Sequence, residues 1–158
     1  MKKFVAIVLA LALSLCCVSA LAAEKLTVIA TPSPHAEILE LIKEDLAALG
    51  YDLDVLVVTD YVTENPAVAG GDVQANFFQH IPYLADYNAT ASDSEKLVGV
   101  IPTHFEPMGL YAGTKSSLDD VAEGDEIVVT NDPTNMTRAF ILLADAGLIE
   151  LPEGTTLE

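Results

Sequence analysis

The seven residues Lys25-Leu26-Thr27-Val28-Ile29-Ala30-Thr31 constrain the fold more than any other stretch. They are almost continuously apolar and β-branched rather than alternating, the pattern of a strand buried on both faces and therefore of a parallel sheet. Ser33 and Pro34 then open a helix that runs to about Leu49, with Gly50 as its stop. Leu39, Ile42, Leu46 and Leu49 are its expected inner stripe. A second strand spans residues 52–58. Strand, helix, strand predicts a parallel α/β sheet with a right-handed crossover. Such sheets take their ligands at the carboxyl ends of the strands, among the loops and helix starts.

The unusual residues gather at those ends. Thr31-Pro32-Ser33-Pro34-His35 follows the first strand and Thr59-Asp60-Tyr61 the second. A polar, Gly-containing piece over 65–72 leads into a short third strand over 73–80, and a helix opens near Pro82 and reaches about Asn88. Phe78 and His80 project to one side if the extended conformation holds that far, which makes a wall for a small ligand. The other reading puts Phe77 and Phe78 in the core, a common fate of phenylalanine. Two further apolar segments, 97–102 and 107–112, flank Thr103-His104-Phe105-Glu106. A polar connector over 114–121 can cap a short helical turn, and the composition change at 112–117 is the candidate lobe boundary. Residues 126–130 read as a strand feeding a last helix that ends near Gly147.

That last helix starts within Asn131-Asp132-Pro133-Thr134-Asn135-Met136-Thr137-Arg138, and Arg138 is the only arginine in the chain. Asp132 suits the cap, and Pro133 suits the first turn because it has no N–H to lose. Asn135 and Arg138 are three apart, so they share a face near the helix start. Free backbone N–H groups, the positive end of the helix dipole, a planar fork and an amide suit a carboxylate or phosphate. The alternative is a surface arginine paired with one of 24 acids.

Lys2 and Lys3 precede an apolar run to about Ala23, the form of a secretory signal ending in the A-x-A site Ala20-Leu21-Ala22. Cleavage after Ala22 is expected; an uncleaved anchor is the alternative, since about 20 apolar residues can span a bilayer. Cys16 and Cys17, the only cysteines, lie in this run and are the candidate lipidation positions, although Leu15 before Cys16 fits the lipoprotein consensus poorly. Cleavage after Ala22 removes both, and with them any disulfide or thiolate chemistry. It also leaves 5 basic residues against 24 acids, a net charge of −19. Such a surface repels nucleic acid, which is bound through clustered Lys and Arg.

His35, His80 and His104 fall in loops without zinc-like spacing, so no metal is expected. There is no G-x-S-x-G elbow, no P-loop and no acid pair set apart from the general acidity, so neither catalysis nor a cofactor is expected.

Four motifs occur in order: Thr31-Pro32-x-Pro34-His35-Ala36-Glu37-Ile38-Leu39, Asn76-Phe77-Phe78-Gln79-His80-x-Pro82-Tyr83-Leu84, Pro107-Met108-Gly109-Leu110-Tyr111 and Asn131-Asp132-Pro133-Thr134-Asn135-x-x-Arg138-Ala139. Together they closely resemble the NlpA lipoprotein family of methionine-binding proteins of ABC importers, from about Leu26 onward. The resemblance implies a periplasmic-binding-protein-like (type II) α/β fold of two lobes that closes on its ligand. Its limits here would be a signal peptide over 1–22, first lobe over 23–112 and the start of a second lobe over 113–158. That second lobe is expected to be incomplete, because family members continue well beyond this point.

The implied ligand is methionine or a close relative; another small amino acid, a Met-containing dipeptide, an extracytoplasmic enzyme of similar fold and a non-binding remnant are the alternatives. The implied partners are a membrane permease and its ATPase subunit, with the binding protein itself a monomer in the cell envelope. Tyr61, Phe78 and His80 resemble the aromatic cage around the thioether, a setting in which a polarisable sulfur gains roughly 0.3–1.5 kcal/mol per contact. Arg138 resembles the residue that grips the α-carboxylate, with Asn135 beside it, and His104 is a further pocket member.

Overall fold

The computed structural model describes residues 23–155. The signal segment and both cysteines lie outside the described residues. Two compact units divide the chain, one ending at Phe78 and the other beginning at Gln79.

The first unit is built on a three-stranded parallel sheet of order β2-β1-β3. Strand β1 (Glu24–Ala30) lies in the middle, and β2 (Tyr51–Val57) pairs with it along all seven residues, from Glu24↔Tyr51 to Ala30↔Val57. The third strand, β3 (Ala75–Phe77), is shorter than the sequence suggests, because only Val28, Ile29 and Ala30 find partners in it. The predicted buried strand is the best-buried element: Val28, Ile29 and Ala30 are 6%, 1% and 0% exposed. Val28 and Ala30 join Ala36, Leu39 and Leu53 in one core cluster, with Leu46 and Phe77 packed against it. Fully burying one such aliphatic side chain is worth about 1.5–3 kcal/mol.

The single helix expected after β1 is broken. A wide turn over Pro32–Ala36, closed by the Ala36 N–H donating to the Thr31 carbonyl at 3.0 Å, precedes α1 (Glu37–Leu41) and α2 (Lys43–Ala48). Ile42 between them has φ −98° and ψ 0°, outside helical geometry. The break rotates the expected stripe. Leu39 and Leu46 keep the inner face, whereas Ile42 and Leu49 are 39% and 73% exposed. Gly50 ends the segment as foreseen, with φ +90°, a conformation a side chain would strain. Helix α3 (Glu64–Ala69) connects β2 to β3.

In the second unit α4 (Ile81–Thr90) opens at His80, whose ring accepts from the Tyr83 N–H. Helix α5 (Pro133–Asp145) has Asp132 as its cap and Pro133 in its first turn, as the sequence predicts. It ends as Gly147, at φ +73°, lets the Leu148 N–H turn back to the Leu143 carbonyl at 2.9 Å. A short turn of helix spans Leu118–Asp120. The strand expected at 126–130 does not form among the described residues: no neighbour pairs with it, and Val128 is 95% exposed. No described helix is long and apolar enough to cross a membrane.

Candidate functional site

In the first unit the candidates sit at the carboxyl ends of the parallel strands. After β1, the Thr31 hydroxyl and His35 Nδ1 are 2.7 Å apart, and the His35 ring meets Phe77 edge-on at 4.6 Å. After β2, one Asp60 oxygen accepts from the backbone N–H groups of Val62 and Thr63, at 3.1 and 2.8 Å, and from the Thr63 hydroxyl at 2.6 Å. The Thr63 hydroxyl and N–H hold the Asp60 carboxyl below its ordinary range. This tight turn fixes Tyr61 in the loop, where its ring lies edge-on to Phe78 at 5.2 Å. Two of the predicted aromatic residues are thus brought together. Phe78 is only 4% exposed and Tyr61 36%, so the pair has a buried and an open end.

Sequence reasoning missed Glu64. This first residue of α3 is fully buried, and neither carboxylate oxygen has a hydrogen-bond partner among the described residues. Burial, then the nearby negative Asp60, pushes its carboxyl up to about 8. At neutral pH it is therefore mostly protonated, the cheaper state for an acid removed from water. Beside it Asn65 is buried too, its side-chain oxygen accepting from the Asn76 amide at 2.8 Å. Nothing in the sequence distinguishes Glu64 from 23 other acids.

In the second unit four predicted residues lie in one region. Asp132 caps α5 with one oxygen, accepting from the Asn135 N–H at 2.8 Å and the Thr134 hydroxyl at 2.9 Å; its other oxygen accepts from the Asn135 side-chain amide at 3.1 Å. Burial alone would raise the Asp132 carboxyl, but the Asn135 and Thr134 donors outweigh it and hold the group below its ordinary range. The Asn135 side-chain oxygen meets His80 Nε2 at 2.8 Å and accepts from Arg138 Nη1 at 2.8 Å. Arg138 Nη2 donates to the Glu106 carbonyl at 2.7 Å. The alternative reading, a surface pairing of Arg138 with an acid, is therefore not what the described residues form: both acceptors are neutral oxygens. A guanidinium has five N–H donors, so these two bonds leave three. His104 lies nearby in sequence to that carbonyl, its ring bridging the Thr103 hydroxyl at 2.9 Å and the Glu106 carboxylate at 2.6 Å.

The arrangement is a half-buried cation aimed by neutral acceptors near the start of a helix. It can receive a planar anion without first breaking an ion pair. The NlpA lipoprotein family model matches residues 26–158. The chain belongs to the NlpA lipoprotein family. Methionine-binding lipoprotein MetQ of Bacillus subtilis (strain 168) is 42% identical over 128 residues, which is 81% of this chain and 46% of that relative. The solved structure of lipoprotein Tp32 from Treponema pallidum is 36% identical with a TM-score of 0.78, over 85% of this chain and 55% of that one. A nutrient binding protein from Burkholderia cenocepacia, solved bound to methionine, is 33% identical with a TM-score of 0.75, over 82% and 53%. This NlpA family chain spans about half the length of these relatives. The α/β, periplasmic-binding-protein-like class expected from the sequence holds, and the fold is shared with Tp32 and with the Burkholderia cenocepacia protein.

Proposed function

We propose that this chain carries part of the methionine site of an extracytoplasmic solute-binding protein serving an ABC importer. The observation that supports it best is the start of α5. There the only guanidinium of the chain is oriented by Asn135 and the Glu106 carbonyl, in a family with a relative described as methionine-binding and another solved with methionine. In this reading Arg138 grips the α-carboxylate with Asn135 beside it. Tyr61, Phe78 and His80 offer aromatic faces to the thioether, and His104 is a further pocket member. The lobe limits at 112 and 113, delivery to a permease driven by a separate ATPase, a monomeric state, export by the N-terminal segment and lipidation at Cys16 or Cys17 belong to the same proposal. The protein binds and releases its ligand without chemical turnover.

Isothermal titration of L-methionine, D-methionine and methioninol into the protein and into Arg138→Ala and Arg138→Lys tests this. Arg138→Ala is expected to lose about 2–4 kcal/mol of methionine binding, as when one member of a buried charge pair is removed. Arg138→Lys should lose less but still measurably, because lysine keeps the charge without the two-pronged geometry. Methioninol, which lacks the carboxylate, should bind weakly and respond little to either change. Equal losses for methionine and methioninol would show that Arg138 shapes the unit instead of holding ligand. Absence of binding by either methionine enantiomer would remove the ligand assignment.

A further inference from the structure

The hydrogen bonds around Asn135 leave one consistent assignment of protons. A guanidinium only donates, so the Asn135 atom facing Arg138 Nη1 at 2.8 Å is the oxygen. A carboxylate only accepts, so the atom facing Asp132 at 3.1 Å is the amide nitrogen. The amide is thus held the same way round from both sides. His80 Nδ1 accepts from the Tyr83 N–H at 3.1 Å and carries no proton there. The ring proton of neutral His80 therefore sits on Nε2, which donates to the Asn135 oxygen at 2.8 Å. Asn135 is 8% exposed, so water competes poorly for these bonds.

We propose that Asp132 is a positioning residue: acting through the Asn135 amide, it keeps the amide oxygen on the His80 Nε2–H, reinforcing the tautomer that the Tyr83 N–H selects, and holds the Arg138 guanidinium in one orientation. Capping α5 needs only one of its oxygens. The second accepts from the Asn135 side chain, and that bond adds to the Arg138 donor in holding the amide oxygen toward His80 and Arg138. Turning the amide over would set an NH2 group against two donors at once. The consequence for affinity rests on the methionine-binding reading; the proton assignment does not.

Two variants separate this role from capping. Asp132→Asn keeps the shape and a good cap but replaces the second acceptor by an amide donor. Asp132→Ser keeps a capping oxygen and removes the second acceptor altogether. Each is compared with wild type, ligand-free and 15N-labelled, by long-range proton–nitrogen spectra of the His80 ring. Wild type should show an unprotonated Nδ1 and a protonated Nε2 whose proton exchanges slowly, and in both variants the Nε2 resonance should shift and its proton exchange faster with water as the Asn135 oxygen is no longer held. Methionine affinity should fall about tenfold in each, the size of one net hydrogen bond. A wild-type ring that is already averaged, or protonated on Nδ1, overturns the proposal. So do variants that keep the wild-type Nε2 resonance and proton exchange while only thermal stability changes, since Asp132 is then a helix cap alone. If the ring shifts as expected but no protein binds methionine, positioning stands and the ligand reading falls. Should Asp132→Asn fail to fold, Asp132→Ser and the wild-type pattern decide.

Discussion

Two apolar, β-branched stretches of this chain meet opposite fates. Residues 28–30 of β1 are at most 6% exposed, between two parallel neighbours. Residues 126–130 carry similar side chains, yet they join no ladder among the described residues, and Val128 is 95% exposed. Val98, Val100, Ile101, Phe105 and Tyr111 of the same unit are likewise 73–89% exposed. The difference lies in the neighbours rather than in the side chains. β-propensity expresses how well a residue fits a pleated, half-covered surface, so it stabilises little until another strand or helix supplies that surface. Helix α5 covers part of the stretch: Ala139, Leu142 and Leu143 line a cleft of about 120 Å³ with Met108–Leu110 and Ile127–Thr130. One apolar helix face without a strand partner does not complete a sheet.

Hydrogen exchange should give the largest contrast. Amides of Ile29 and Ala30 should be protected at least ~10³-fold more than those of Val128 and Val129, because central ladder bonds open only with the unit. Comparable protection at both places would break the comparison and show an ordered ladder at 126–130. Core truncation comes next. Ile29→Ala should cost about 2–5 kcal/mol in denaturant unfolding, whereas Val128→Ala should stay within about 0.5 kcal/mol.

A smaller effect sharpens the contrast from the other side, because the better-packed unit holds the less satisfied acid. Glu64 is buried without a hydrogen bond, while Asp132 in the second unit has three donors. A carboxyl raised from 4.5 to about 8 makes the folded state bind more protons than the unfolded one across that window. Stability from this group is then fully present below about 4.5 and is lost as pH rises toward about 8. The stability lost between pH 5 and 8 should be about 1–3 kcal/mol greater for wild type than for Glu64→Gln, which has no proton to lose. Urea midpoints of both proteins at the two pH values check this, and parallel pH dependences would show that Glu64 is solvated or paired.

Much of the first unit was legible because its signals are local and agree with one another. A continuous apolar run predicted a buried parallel strand, Gly50 predicted the helix stop, and Asp132 with Pro133 predicted the start of α5. The broken helix was not legible, since apolar spacing alone does not reveal the non-helical backbone at Ile42. For the candidate site, the residue types at strand ends and the spacing of Asn135 and Arg138 pointed to anion chemistry. Their actual partners, His80 for Asn135 and the Glu106 carbonyl for Arg138, lie 55 and 32 residues away in sequence and leave no local trace.

The sequence by itself therefore determined the parallel α/β class, the family and the identity of the helix that carries Arg138. These follow from side-chain chemistry repeated over short distances and from motifs kept in order. Only the tertiary structure decided which apolar runs become strands, which acid is buried and which way the Asn135 amide faces. Each of those depends on a partner brought in from elsewhere in the chain. The free energy of a hydrogen bond or a buried methyl group belongs to the pair and its surroundings, and one residue type cannot announce it.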